Sequence, residues 1–164
     1  MNTVQENALR ITRQAVTPVL MTLAQRKGGL SVLDYKPPDA LLRRYMAENK
    51  TDLATAKKAF MALKQFLFVC ATAKHSCSPS IAIDAMWHEF LMFSKEYYNF
   101  CLQYFGTVVH HHPTEVMMNE SYRNTRDSAL KNFGKLDRKF WPKSVTCVAL
   151  CSGGECSAGC ESSN

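Results

Sequence analysis

No run of the sequence reaches the roughly 20 apolar residues that a membrane-crossing helix needs. The most apolar stretch, Ile81 to Phe105, is interrupted by Asp84, His88, Glu89, Lys95, Glu96 and Asn99. A secretory leader is missing as well: Met1 to Leu9 carries Gln5 and Glu6 where basic residues and then an apolar core would stand. Both absences predict a cytoplasmic chain with no membrane contact, in which thiols stay reduced or bind metal before they pair as disulfides. Glycine is scarce, at 7 residues in 164, which excludes a collagen-like chain. No run alternates polar and apolar residues long enough to argue for a sheet. Also missing are a recognisable catalytic constellation, a helix-turn-helix and a base-stacking motif.

What is present is enough apolar material for one domain. Of the residues, 46% are apolar and 21% charged, so a chain of 164 can bury most of its unfolded surface in a single core. Apolar residues recur at helical spacing throughout. Val4 to Arg26 is one such stretch, kinked at Pro18 and stopped by Lys27-Gly28-Gly29. A short helix is expected near Asp39 to Ala47. Another runs from Asp52 to Ala73 behind a Thr51 N-cap, with Leu53, Ala56, Phe60, Leu63 and Leu67 facing the core. Ser78-Pro79 reads as a cap followed by a first-turn proline that opens a long helix to Phe105, ended by Gly106. Thr114 to Phe133 is a further helix closed by Gly134, with a turn or short helix from Lys135 to Phe140. The expectation is therefore all-α: a compact bundle of about five helices around an aromatic-rich centre, residues 1–146, followed by a Cys/Gly/Ser-rich tail, residues 147–164.

The net charge of +6 is unevenly distributed. Residues 1–50, 51–77 and 113–146 carry +4, +3 and +3, whereas 78–112 and 147–164 carry −2 each. Basic clusters (Arg10 with Arg13, Arg43-Arg44, Arg123 with Arg126, and Lys135, Arg138 and Lys139) are scattered over several helices. That scatter suits solvated faces better than a nucleic-acid surface, so a protein partner is the expectation.

The two acidic segments hold the unusual chemistry. Within 81–105 stand Trp87, Phe90, Phe93, Tyr97, Tyr98, Phe100, Tyr104 and Phe105, a helix apolar nearly all round. On it Asp84 and His88 are four apart, so they share a face and can hydrogen-bond. Either the pair is a structural link, or the carboxylate orients an imidazole at a metal site. His110-His111-His112-Pro113 follows in a connection. On a continuous helix, His88 lies roughly 25 Å before the end, so the histidine run reaches it only if Gly106 to His112 turns back extended. A metal-dependent enzyme would use Asp84, His88 and one of His110, His111 or His112, with Glu89 or Tyr97 nearby. The plainer alternative is a solvated histidine loop.

The residues Pro79-Ser80-x-x-Ile83-Asp84-x-Met86-Trp87-His88, then Tyr97-x-x-Phe100-Cys101-x-x-x-Phe105-Gly106, then His111-His112-Pro113 resemble the glycine-rich domain-containing protein-like family. The upstream Ala59-Phe60-x-x-Leu63-Lys64-x-Phe66-Leu67 belongs to the same likeness, which covers about residues 40–115. The resemblance implies a fold and a suspected site without a reaction. In that pattern a second histidine follows two positions after the first; here Phe90 stands there, so no His-x-His metal pair forms.

The tail holds four of the seven cysteines. Cys147, Cys151, Cys156 and Cys160 read C-x3-C-x4-C-x3-C, and four thiolates can close a tetrahedral zinc site. Iron–sulfur binding suits the same donors less well. Unbound thiols are an alternative, as is a modified precursor with cleavage at Gly153-Gly154. Cys70, Cys77 and Cys101 are expected to be buried packing residues. The leading expectation is a binding or scaffold protein with structural zinc in the tail. A metal-dependent enzyme and a processed precursor are the alternatives.

Overall fold

The computed structural model describes residues 30–112 and 119–143. Over these residues the chain is helical, with no strand: a short turn of helix α1 (Leu30–Leu33), then α2 (Asp39–Glu48), α3 (Leu53–Thr72), α4 (Ile81–Met92), α5 (Ser94–Phe105) and α6 (Asn119–Phe133). The expected bundle of about five helices is present. The tail and its four cysteines lie outside the described residues, as do the expected N-terminal helix and residues 113–118.

The longest helix among the described residues, α3, packs against α1, α2, α4 and α6. Its apolar residues recur every three or four positions, and Ala56, Ala59, Phe60, Leu63, Phe66 and Leu67 are buried. Leu53, expected on the core face, is 46% exposed at the first turn, where the helix has not yet entered the bundle. The cap also lies one residue later than the sequence suggests. Asp52, rather than Thr51, is the N-cap, its Oδ1 accepting from the Thr55 N–H at 2.7 Å. Similarly, Ser80 rather than Ser78 caps α4. Its hydroxyl accepts from the Ile83 N–H at 3.2 Å and donates to the Phe140 carbonyl at 2.6 Å, so one side chain both caps the helix and ties it to the segment after α6.

The long aromatic helix of the sequence reading is two helices. Phe93, at φ −95° and ψ 59°, ends α4 and precedes α5. A straight helix with aromatics on every side cannot bury them all against a few neighbours; broken, it packs against itself. Phe90 meets Tyr97 and Phe100 edge-to-face at 5.2 and 5.5 Å between ring centres. Trp87 donates its indole N–H to the Tyr97 hydroxyl at 3.1 Å, and that hydroxyl donates to the Val109 carbonyl. Gly106 terminates α5 with φ 69°, the left-handed conformation that glycine adopts without a Cβ penalty.

Among the described residues one charge is buried in this core. Lys64 is 4% exposed and donates to the Leu33 and Tyr35 carbonyls, fastening the α1 end to α3. Burial lowers its pKa from 10.5 to about 8. Between those two values the unfolded chain holds a proton that the folded chain has released, so stability rises with pH there. The burial penalty is fully present below pH 8 and is relieved towards pH 10.5. Urea melts at pH 8 and pH 10 are expected to show wild type gaining on Lys64→Met, by at most about 1.4 kcal/mol per pH unit. A constant difference between the two would remove the role of this ammonium.

Candidate metal centre

Asp84 sits in the first turn of α4, and His88 stands one turn further on, so both project from one face. The carboxylate Oδ2 lies 3.4 Å from His88 Nδ1. From the other side His111 approaches, its Nε2 2.8 Å from Asp84 Oδ1. One donor atom from each of the three residues lies within 4.8 Å of the others. The side chain of His111 is 11% exposed, Asp84 33% and His88 55%, so the cluster is walled on one side and open on the other.

His111 arrives there because the helix is broken. With the turn at Phe93, Trp87 and Phe90 of α4 pack on Tyr97 and Phe100 of α5. Residues 107–112 then return past Tyr97 to reach Asp84. Two contacts hold that path in register. Val109 is fixed by the Tyr97 hydroxyl, and the His111 ring stands edge-on to Trp87, 4.5 Å between ring centres. The His88 and His111 rings lie 4.6 Å apart at 45°.

Of the expected site residues, the structure thus brings together Asp84, His88 and His111. His110 and His112 flank His111, are exposed, and are not members of the cluster. Extended chain explains this, because successive side chains alternate in direction and only the middle histidine faces α4. Glu89 is engaged elsewhere, paired with Arg44 of α2 at 2.5 Å. Tyr97 is a buried linchpin whose hydroxyl is spent on Trp87 and Val109; burial pushes its pKa up. Phe90 is wholly buried in the aromatic core, so the position of an expected second histidine faces away from the site. The second imidazole comes instead from the connection, 23 positions after His88 in the sequence.

For zinc, ligand bonds of about 2.0–2.2 Å in tetrahedral geometry separate donor atoms by about 3.4 Å. His88 Nδ1 lies 3.4 Å from Asp84 Oδ2 and His111 Nε2 2.8 Å from Asp84 Oδ1, and the three donors, within 4.8 Å of one another, have to adjust to that spacing to share one ion. The donor set, two imidazoles and a carboxylate, is one that zinc accepts. Three protein ligands leave a position for water or substrate.

A second group of residues escaped the sequence reading. Of the three thiols expected to be packing residues, Cys101 is buried, but Cys70 and Cys77 are each only partly so, and all three are free. Cys77 Sγ lies 3.9 Å from His75 Nδ1 and donates to the His75 carbonyl at 3.7 Å. The influence of the Cys70 thiol, followed by Thr125 and His75, lowers the Cys77 pKa from 9.0 to about 6 against the opposing effect of burial. Burial, followed by the influence of Cys77, pushes Cys70 up. The spacing of seven residues, one on a helix end and one in a loop, gives no sign of this mutual influence.

The UCP032817-like family model matches residues 31–137, well over half of the chain and including Asp84, His88 and His111. This overturns the resemblance to the glycine-rich domain-containing protein-like family. The residues behind that likeness lie in the matched span. In the structure they build the α4–α5 turn-back and its return: Trp87 bonded to Tyr97, Gly106 ending α5, His111 on Asp84. No curated protein and no solved structure matches the chain.

Proposed function

From a chain that belongs to the UCP032817-like family, we propose a metal-binding helical protein whose Asp84, His88 and His111 hold a zinc ion. The observation that carries the reading is the convergence of three donors from two separate segments within 4.8 Å, at an edge open to solvent. Three ligands and an open position are the arrangement of catalytic rather than structural zinc. The chemistry such an ion supplies is the activation of a bound water or the polarisation of a carbonyl or phosphoryl oxygen. The reaction class is therefore metal-assisted hydrolysis. Structural zinc on Cys147, Cys151, Cys156 and Cys160 is a separate proposal, in a segment outside the described residues.

Elemental analysis and zinc titration of the full-length protein, beside a Cys147/Cys151/Cys156/Cys160→Ser variant, separate the two sites. The variant is expected to keep about one equivalent of zinc. A variant that binds none, while the wild type binds one, assigns the metal to the tail and ends the helical-site reading.

The compartment we propose is the cytoplasm, which suits the free thiols of Cys70, Cys77 and Cys101. No helix among the described residues is long and apolar enough to cross a membrane. A protein partner is favoured over nucleic acid. Tyr98 and Leu102, four apart on α5, are both about half exposed and make an apolar strip, while Arg44 of the basic Arg43-Arg44 pair is engaged by Glu89.

A further inference from the structure

A groove of about 660 Å³ lies between α3 and the chain that follows α6, a volume usual for small-molecule sites. Its α3 wall is Lys58, Met61, Ala62 and Gln65, a stripe at helical spacing about 10 Å long. The facing wall, Lys135 to Arg138, is held on both sides. Before it, Phe133 meets Phe68 of α3 edge-to-face at 5.4 Å between ring centres; after it, the Trp141 indole N–H donates to Gln65 Oε1 at 3.1 Å. Asp84, His88 and His111 are not in this lining.

The groove pairs uncovered apolar surface with unmatched positive charge. Met61 is 39% exposed, and Ala62 and Leu136 line the same space. Lys58, Lys135 and Arg138 are exposed, and none of them is in an ion pair among the described residues. The lining's one acid, Asp137, uses Oδ1 to accept from the Lys139 N–H at 2.9 Å. Three cations against one carboxylate leave a net charge of +2. Gln65 adds a donor. It is 8% exposed, its oxygen is taken by Trp141, and among the described residues nothing accepts from its Nε2. No fully buried side-chain nitrogen or oxygen among them lacks a partner, so Nε2 is open to the space that Gln65 lines.

We infer that this groove binds a linear aliphatic carboxylate of medium chain length. The chain lies on Met61, Ala62 and Leu136, and the carboxylate faces the cations and accepts from Gln65 Nε2. A compact inorganic anion leaves the apolar surface wet, and a neutral hydrocarbon leaves the Gln65 amide and three cations without an acceptor. A molecule with both parts meets each demand. The 10 Å stripe, an estimate of about 1.5 Å per residue over α3, is spanned by an extended chain of about eight carbons.

Calorimetric titration of the full-length protein with octanoate, hexanoate and octanol, with and without EDTA, tests the proposal. Each buried methylene contributes about four-fold in affinity, so octanoate is expected to bind about 15-fold tighter than hexanoate. It is also expected to bind about 10-fold tighter than octanol, which offers the cations no counter-charge. In a nitrogen–proton NMR spectrum the Gln65 side-chain amide signal should shift with octanoate. Met61→Glu, which sets a second carboxylate on the apolar wall, is expected to abolish binding, and Lys57→Ala, outside the stripe, to leave it unchanged. Octanol binding as tightly as octanoate, equal affinity for hexanoate, an unmoved Gln65 signal, or no binding of octanoate would overturn the proposal. So would affinity that disappears in EDTA, which places the carboxylate on zinc. The chain-length and head-group comparisons need no substitution, so a variant that fails to fold leaves them intact.

Discussion

Replacing His111 with alanine is expected to weaken zinc binding at the helical site by more than about 100-fold, because loss of a ligand exceeds the 10–100-fold seen when only a ligand's outer partner is removed. Neutral His110→Ala and His112→Ala changes serve as controls, since both residues are exposed and are not in the cluster. A second variant distinguishes a metal site from a hydrogen-bonded lock. His111→Gln keeps a donor that can reach Asp84, so a lock survives it and a zinc site does not. Calorimetric titration should therefore give the glutamine variant near-wild-type stability without zinc and little affinity for the ion. Zinc at about 100 times its dissociation constant should stabilise the wild type by about 2.7 kcal/mol, roughly 5–10 °C in Tm, and leave His111→Gln unmoved. Equal shifts in both proteins would remove His111 from the ligand set.

Half of this site is legible in the sequence and half is not. Asp84 and His88 are four apart, and helical geometry alone sets them on one face. His111 is hidden by a distance estimate. On a continuous helix from 81 to 105, His88 lies about 25 Å from the end, and the return of the histidine run looks strained. No glycine or proline marks Phe93 as a break; the break is favoured by tertiary burial, as Trp87 and Phe90 on one half meet Tyr97 and Phe100 on the other. Cap positions slip for a related reason. Ser78 and Ser80 are both competent caps, and the choice falls on Ser80 because its hydroxyl is also held by the Phe140 carbonyl, from a segment 60 residues away. What local propensity determines is readable in one sequence; what distant packing decides is not.

Trp141 is the strongest instance of the second kind, and its removal is expected to cost more stability than any other single change considered. It stands just past the Lys135 to Phe140 stretch that the sequence marks as a turn or short helix, yet it is wholly buried, and its indole N–H donates to Gln65 Oε1 of α3 at 3.1 Å. The chain around it is anchored on three sides. Its own N–H donates to the Asp137 carbonyl at 2.8 Å, Tyr122 of α6 donates to the Pro142 carbonyl at 2.8 Å, and Ser80 at the start of α4 donates to the Phe140 carbonyl. Trp141→Ala removes the largest fully buried side chain among the described residues and strips Gln65 of its partner. The cavity and lost transfer energy amount to about 3–5 kcal/mol, a large share of the 5–15 kcal/mol that typically holds a domain together. Gln65 also lines an open groove of about 660 Å³ with Lys58, Met61, Lys135, Leu136 and Arg138, so water entering from there can hydrate the amide and offset part of the cost. Trp141→Phe keeps most of the volume and loses only the hydrogen bond, at about 1–2 kcal/mol. In urea melts the alanine variant should show the midpoint falling sharply with the slope unchanged. A loss below about 1 kcal/mol would mean that residues 137–142 rest on the bundle without stabilising it, and that the Ser80 cap, with the Asp84 turn behind it, is held by α4 alone.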